Sequence, residues 1–123
     1  MLVVIFSLSC SAATFNDFAN AIHMVETGGR LGPILGDKGR ALGPLQIHRA
    51  YFKDSGVRGN YQECAGLAFS KKVVRAYLDH YAHNALVKSD WETCARVHNG
   101  GKDGAKKSET IAYWNRVRKH LTK

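Results

Sequence analysis

Apolar side chains at Phe18, Ala21, Ile22 and Val25 recur at i, i+3, i+4 and i+7 within the run Phe15 to Val25, the spacing of a helix with one buried face. Thr27-Gly28-Gly29 then ends that helix, because glycine accepts the left-handed cap conformation. Glycines at 32, 36 and 39 punctuate Leu31 to Leu42, and Asp37-Lys38-Gly39 has the composition of a tight hairpin turn. Pro44 suits the first turn of a helix running to about Asp54, where its missing N–H costs nothing, and Ser55-Gly56 closes it. After a loop at Arg58-Gly59-Asn60, helical recurrence of Leu67, Val73, Val74, Tyr77, Leu78 and Tyr81 predicts a central helix from Tyr61 to about Asn84. Ser89-Asp90 offers an N-cap for a helix through Cys94 to Val97 that stops at Asn99-Gly100-Gly101. Lys102 to Lys107 reads as a basic loop. Ser108 caps a last helix whose stripe is Ile111, Tyr113, Trp114, Val117 and Leu121. The order is helix, hairpin, then four helices, which predicts an α+β fold that is mostly helical, with about five helices and a small β-hairpin lobe.

A chain of 123 residues suits one domain with a real core. Its 45% apolar and 23% charged residues are ordinary for a globular protein. The charge balance is not: 18 Lys and Arg against 10 Asp and Glu give +8, which favours a polyanionic partner. Nucleic acid, an anionic membrane surface and a bacterial wall all satisfy that requirement. No nucleic-acid motif accompanies the charge, so that partner is not expected.

Residues 1–13 combine the apolar Leu2-Val3-Val4-Ile5-Phe6-Ser7-Leu8 with the small Ser9, Ser11, Ala12 and Ala13, resembling the core and cleavage site of a secretory signal. The stretch lacks a basic start and is too short to span a bilayer, which takes roughly 20 apolar residues. A buried first strand or helix is the alternative. The signal reading puts cleavage after Ala12 or Ala13, a secreted protein with no stable membrane insertion, and a catalytic domain over 14–123. Cys10 would leave with the signal. Cys64 and Cys94 then remain, either paired by oxidation outside the cell or buried as free thiols. No Cys/His spacing matches zinc, and neither a metal nor another cofactor is expected.

The chemistry centres on Glu26, carried to the edge of a packed helix and facing a glycine-rich loop. A carboxyl half-sheltered by apolar neighbours stays protonated near neutrality and can act as a general acid. A lone Glu in a last helical turn is, however, commonly a solvated surface residue, and there it opposes the helix dipole. Asp37, in the hairpin that follows, is the second carboxylate. A helix end beside a glycine-rich turn can set the two on opposite walls of one groove, as glycosidic cleavage requires. Asp-Lys-Gly is equally a good turn sequence.

Glu26-Thr27-Gly28-Gly29, Asp37-x-Gly39, Gly43-Pro44-Leu45-Gln46-Ile47, Ala95-Arg96-Val97-His98-Asn99-Gly100-Gly101 and Tyr113-Trp114-Asn115-Arg116-Val117 resemble, in this order, the invertebrate-type or destabilase-type lysozymes. The resemblance covers roughly residues 20 to 121, and its last two motifs are the most specific. It implies a lysozyme-like fold and a muramidase that hydrolyses the β-1,4 bond between N-acetylmuramic acid and N-acetylglucosamine in bacterial peptidoglycan; a monomer is expected. Glu26 matches the general acid and Asp37 the second catalytic carboxylate; Gln46, Tyr51, His98 and Asn99 correspond to a saccharide-binding wall. The stretch from Asp37 to Gly43 is one residue shorter than in animal members, and Cys64 and Cys94 replace a cysteine-dense framework in which each cross-link is worth about 2–4 kcal/mol. Arg40-Ala41-Leu42 stands where some members carry serines assigned to isopeptidase activity, so that activity is not expected. Lys102, Lys106, Lys107, Arg116, Arg118 and Lys119 form a candidate patch for anionic wall polymers, or simply a solvated basic face. Two rival functions follow from the same residues: a lytic transglycosylase using Glu26 alone, and a non-catalytic cationic wall-binding or antimicrobial protein.

Overall fold

The computed structural model describes residue 2 and residues 12–121; most of the proposed signal, including Cys10, lies outside the described residues. Among these, helix α1 (Phe15–Thr27), strands β1 (Leu35–Gly36), β2 (Ala41–Leu42) and β3 (Ile47–His48), and helices α2 (Arg49–Ser55), α3 (Leu67–Tyr81), α4 (His83–Val87), α5 (Trp91–Gly100) and α6 (Thr110–Leu121) follow one another. Short 3-10 turns occupy Tyr61–Ala65 and Gly104–Lys106. The fold is mostly helical with one small antiparallel sheet in the order β1-β2-β3, and no described helix is long and apolar enough to cross a membrane.

Helix α1 is closed at both ends by local chemistry. Thr14 accepts from the Asp17 amide while the Asp17 carboxylate accepts from the Thr14 amide, which satisfies two of the first turn's orphan donors. At the other end Gly28 adopts φ 66° and its amide returns to carbonyls of the last turn. The buried face is the one the periodicity indicates, with Phe18, Ala21 and Ile22 in the core and Val25 against it. Phe18 stacks on Trp91 of α5 at 4.9 Å, and the Trp91 indole N–H donates to the Ala13 carbonyl at 3.0 Å. Leu78, Val73 and Val74 from α3, Cys94 and Val97 from α5, and Tyr113 and Val117 from α6 complete the core.

Three sequence expectations are corrected. Pro44 does not open a helix: Gln46 takes φ 55°, a left-handed conformation that no α-helix continues through, so residues 43–46 form a turn and Ile47–His48 a third strand. Burial decides this, because Leu45 and Ile47 are both sunk in the core while Ile47 pairs with Leu42. The central helix is likewise broken. Gly66 is extended at φ −92°, ψ 139° and Ala82 departs from helical geometry at φ −144°, leaving a 3-10 turn before α3 and a separate α4 after it. Finally, α6 begins at Thr110, two residues beyond Ser108, and Ile111 is 46% exposed rather than part of the buried stripe. Arg96 and the Gly104 carbonyl both bond the Thr110 hydroxyl, so the basic loop is anchored from inside.

Cys64 and Cys94 are buried free thiols, each pushed up by burial, Cys64 to about 11 and Cys94 to about 12. Thiols in that state are poor nucleophiles at neutral pH.

Candidate active site

The sheet supplies the floor of a cleft. Its cross-strand register aligns Gly36 with Ala41 and Ala41 with His48, and residues directly opposite share a face. The small Ala41 and the His48 side chain of that row border the cleft, with the Gln46 amide laid over Gly36; the adjacent row, Leu42 and Ile47, turns the other way into the core. Glu26, Asp37, Ala41, Gln46, His48, Tyr51, His98 and Asn99 line the cleft. All six residues singled out in the sequence therefore meet around one depression, drawn from α1, the β1–β2 turn, the 43–46 turn, α2 and α5.

Glu26 stands one residue before the end of α1 and is half-buried. Its carboxyl is raised from 4.5 to about 7, chiefly because burial disfavours the charge; the Arg116 guanidinium on α6 opposes this without cancelling it. At neutral pH a large fraction of the group is protonated. Thr27, next in the chain, fixes this helix end: its hydroxyl donates to the Pro44 carbonyl at 2.8 Å, tying α1 to the 43–46 turn.

Asp37 sits differently. It occupies the first place of a turn in which Asp37, Lys38 and Gly39 all have positive φ (49°, 58° and 83°), a conformation that Asp tolerates better than most residues. The loop joining β1 to β2 has four residues, longer than a two-residue hairpin turn. The Asp37 carboxylate is half-exposed and touched from two sides, by Arg40 Nη2 at 3.4 Å and by His48 Nε2 at 3.4 Å. One carboxyl is thus in apolar shelter and the other in solvent beside Arg40 and His48, the unequal division of environments that a pair of carboxyls with different roles requires.

Gln46 lines the cleft but spends its amide on the fold: Nε2 donates to Ile34 O at 3.2 Å and to Gly43 O at 2.9 Å. A side chain on Gly36 would collide with the Gln46 amide. Gln46 is thus a strap across the sheet as well as part of the wall. Tyr51 and His98 form the back. Tyr51 stacks on Tyr77 at 3.6 Å and 11°, and its hydroxyl lies 2.7 Å from His98 Nδ1. Burial holds His98 down to about 4, so the imidazole is neutral at pH 7. Burial first, then Tyr77, Tyr113, Glu26 and Cys94, hold the Tyr51 phenol well above its ordinary value, so it keeps its proton. We expect Tyr51→Phe to lower stability by about 1–3 kcal/mol by leaving Nδ1 unpaired, read as a drop in thermal midpoint; an unchanged midpoint would show that the bond contributes nothing.

Sequence reasoning misses four neighbours of the site. His48 gives no signal beyond the polar alternation of a strand that local preference assigns to a helix. Ala41 gives none. Arg116 figures in the sequence only among the basic residues of the last helix, and Tyr113 only in its apolar stripe. The basic patch is correspondingly less uniform than its composition: all six cations are exposed, but Lys107 Nζ donates to the Gly100 carbonyl at the end of α5, and Arg116 belongs to the Glu26 neighbourhood.

Comparison with known proteins gives the family. Residues 20–120 match the family described as Destabilase. The chain belongs to that family. Among its relatives, Lysozyme 1 of Crassostrea virginica is 42% identical over 79 residues, which are 63% of this chain and 43% of that protein; the match therefore spans less than two thirds of that relative's own length. The lysozyme of Magallana gigas is 30% identical over 95% of this chain and 87% of its own. Among solved structures, that of Meretrix lusoria lysozyme in complex with Aeromonas hydrophila PliI superposes with a TM-score of 0.72 at 33% identity, covering 89% of this chain and 93% of the other. Family membership and fold agree with the resemblance drawn from the motifs, and with the order of one helix, a small sheet and a helical remainder.

Proposed function

We propose that this Destabilase-family chain is a muramidase that hydrolyses the β-1,4 bond between N-acetylmuramic acid and N-acetylglucosamine, with Glu26 as general acid. The observation that carries the reading is the contrast between the two carboxyls of one cleft: burial holds Glu26 at about 7, while Asp37 stands half-exposed beside Arg40 and His48. Protonated Glu26 gives its proton to the leaving glycosidic oxygen as the C–O bond breaks. The oxocarbenium-like sugar that develops is stabilised by the Asp37 carboxylate on the other wall, and water then completes the hydrolysis. Gln46, Tyr51, His98 and Asn99 hold the saccharide; the neutral His98, fixed by Tyr51, acts as a hydrogen-bonding group and not as a charge. The named lysozymes among the relatives support this substrate class.

The protein is proposed to be secreted and to work as a monomer. Processing after Ala12 would retain the Ala13 carbonyl that accepts from Trp91, whereas processing after Ala13 would lose it. Exposed Lys102, Lys106, Arg118 and Lys119 hold the enzyme on anionic wall polymers through contacts that weaken with salt.

Product analysis on purified peptidoglycan tests the reaction. Hydrolysis gives muropeptides with a reducing end, whereas a transglycosylase using Glu26 alone gives the anhydro sugar, lighter by one water. We expect reducing ends from the wild type and at least a roughly tenfold lower rate from Asp37→Asn. Anhydro products with Asp37→Asn at full rate would replace the hydrolase by the transglycosylase. Killing that survives loss of either carboxyl but fades with salt would replace both by a non-catalytic cationic protein.

A further inference from the structure

The hydroxyl of Tyr113 is buried and, among the described residues, has no hydrogen-bond partner. Buried hydroxyls are rarely left so, because an unmade bond costs the desolvation of the group outright. Tyr113 itself is 2% exposed, held by α6 against α1 and α5, with its ring 6.0 Å from the His98 ring and the Arg116 guanidinium 5.7 Å over its face. A phenylalanine would fill the same volume without that cost. The phenol lies close enough to Glu26 to feel its charge: burial first and the Glu26 carboxylate second push it well above its ordinary value, with Arg116 opposing. It therefore keeps its proton and can only be relieved by giving it to an acceptor.

Glu26 is faced by Tyr113 and Arg116 from α6, by Tyr51 from α2 and by the cleft residues Asp37, His48 and His98 from the sheet and α5. The Tyr51 hydroxyl is already engaged with His98. We propose that Tyr113 Oη–H is a positioning donor for Glu26, unpartnered while the carboxyl is protonated and hydrogen-bonded to it once the carboxyl has released its proton to the leaving oxygen. The unsatisfied donor is then a feature of the ground state that the reaction itself repairs, so its bond is made only after proton transfer has begun and lowers the barrier without tightening substrate binding. This inference rests on the reading of Glu26 as the general acid.

Tyr113→Phe separates the possibilities. We expect the variant to fold with unchanged or higher thermal stability, to retain KM, to lose about tenfold in kcat, and to shift the alkaline limb of its pH–rate profile upward by about one unit, the shift that a tenfold weaker stabilisation of the carboxylate produces. Carboxyl-labelled glutamate followed by NMR reads the same upward shift of Glu26 without any turnover. A second readout needs no substitution at Tyr113: its labelled ring Cζ resonance is expected to move as Glu26 ionises near neutral pH in the wild type, and not in Glu26→Gln. A Glu26 midpoint that is the same in Tyr113→Phe as in the wild type, or a Tyr113 resonance indifferent to Glu26, overturns the inference while leaving the general acid intact. Full wall lysis by Glu26→Gln overturns the general acid instead, a result the two NMR titrations do not depend on.

Discussion

Glu26→Gln is expected to lose wall-clearing activity by about 10²–10⁴-fold, the range that a positioned general acid contributes, while folding normally. The substitution keeps the size and hydrogen-bonding reach of the side chain and removes only the transferable proton. It should also stabilise the protein at alkaline pH. In the folded chain burial holds the carboxyl at about 7 against an ordinary 4.5, so between those two values the native state binds more protons than the unfolded state. Stability then falls as pH rises from about 4.5 through 7, and the full cost of burying the ionised form is present above 7. At about 1.4 kcal/mol per pH unit that cost is on the order of 3 kcal/mol, an upper figure for a group in partial contact with solvent. Thermal melts should therefore superpose for the two proteins at about pH 4 and separate at about pH 8 in favour of the variant, the trade between stability and activity expected of a residue selected for chemistry. The wild-type rate should decline about tenfold per unit above pH 7 for the same reason. Wild-type clearing rates from the variant would end the assignment of Glu26, whatever its effect on stability.

Gly43→Ala carries the largest expected structural effect. Gly43 has φ 84°, and a Cβ built on it would be driven into the carbonyl oxygen of Cys64, with Ala65 Cα also in close contact. Both obstacles are backbone, so no side chain can yield. The same residue bonds Ile34 through its amide at 2.7 Å and accepts from the Gln46 amide at 3.1 Å, so displacing it loosens the sheet, the turn and the 3-10 segment together. A loss above about 4 kcal/mol follows from a clash and a broken network at one point, enough to unfold much of a population whose total stability is about 5–15 kcal/mol. Gly39→Ala is the control. It shares the positive φ, at 83°, but has nothing within 4 Å of the added atom, and should cost only the conformational penalty of about 1–2 kcal/mol. If far-UV circular dichroism and denaturant melts give equal losses for the two, the close approach of Gly43 to Cys64 is not what holds this corner.

The helix that carries Glu26 is legible in the sequence because its information is local. Phe18, Ala21 and Ile22 fall on one face by period alone, and Thr27-Gly28-Gly29 can end a helix without help from the rest of the chain. The same holds for α5, where Asp90 accepts from the Thr93 amide as an N-cap and Gly101 at φ 84° closes the other end. The stretch from Pro44 to Asp54 is not legible. Its local preferences allow a helix start at Pro44, but Leu45 and Ile47 alternate into a core assembled from distant parts of the chain, and that burial selects a turn and a strand with Gln46 held left-handed between them. The break between Tyr61–Ala65 and α3 has a similar origin: Ser70 bonds the Cys64 carbonyl at 2.7 Å, and Gly43 presses on that same carbonyl from across the molecule.

By itself the sequence determined the buried face and the end of α1, the turn at Asp37 and the two carboxyls proposed for the chemistry, because periodicity, glycine caps and residue chemistry act over a few neighbouring residues. It also carried the family, through motifs spread from Glu26 to Val117. Only the tertiary structure decided what surrounds Glu26: the Arg116 charge that moderates its burial, the unpartnered Tyr113 hydroxyl behind it, and the His48 imidazole beside Asp37. Desolvation and Coulomb interaction depend on distance in space and on excluded water, and neither quantity is written in the spacing of residues along the chain.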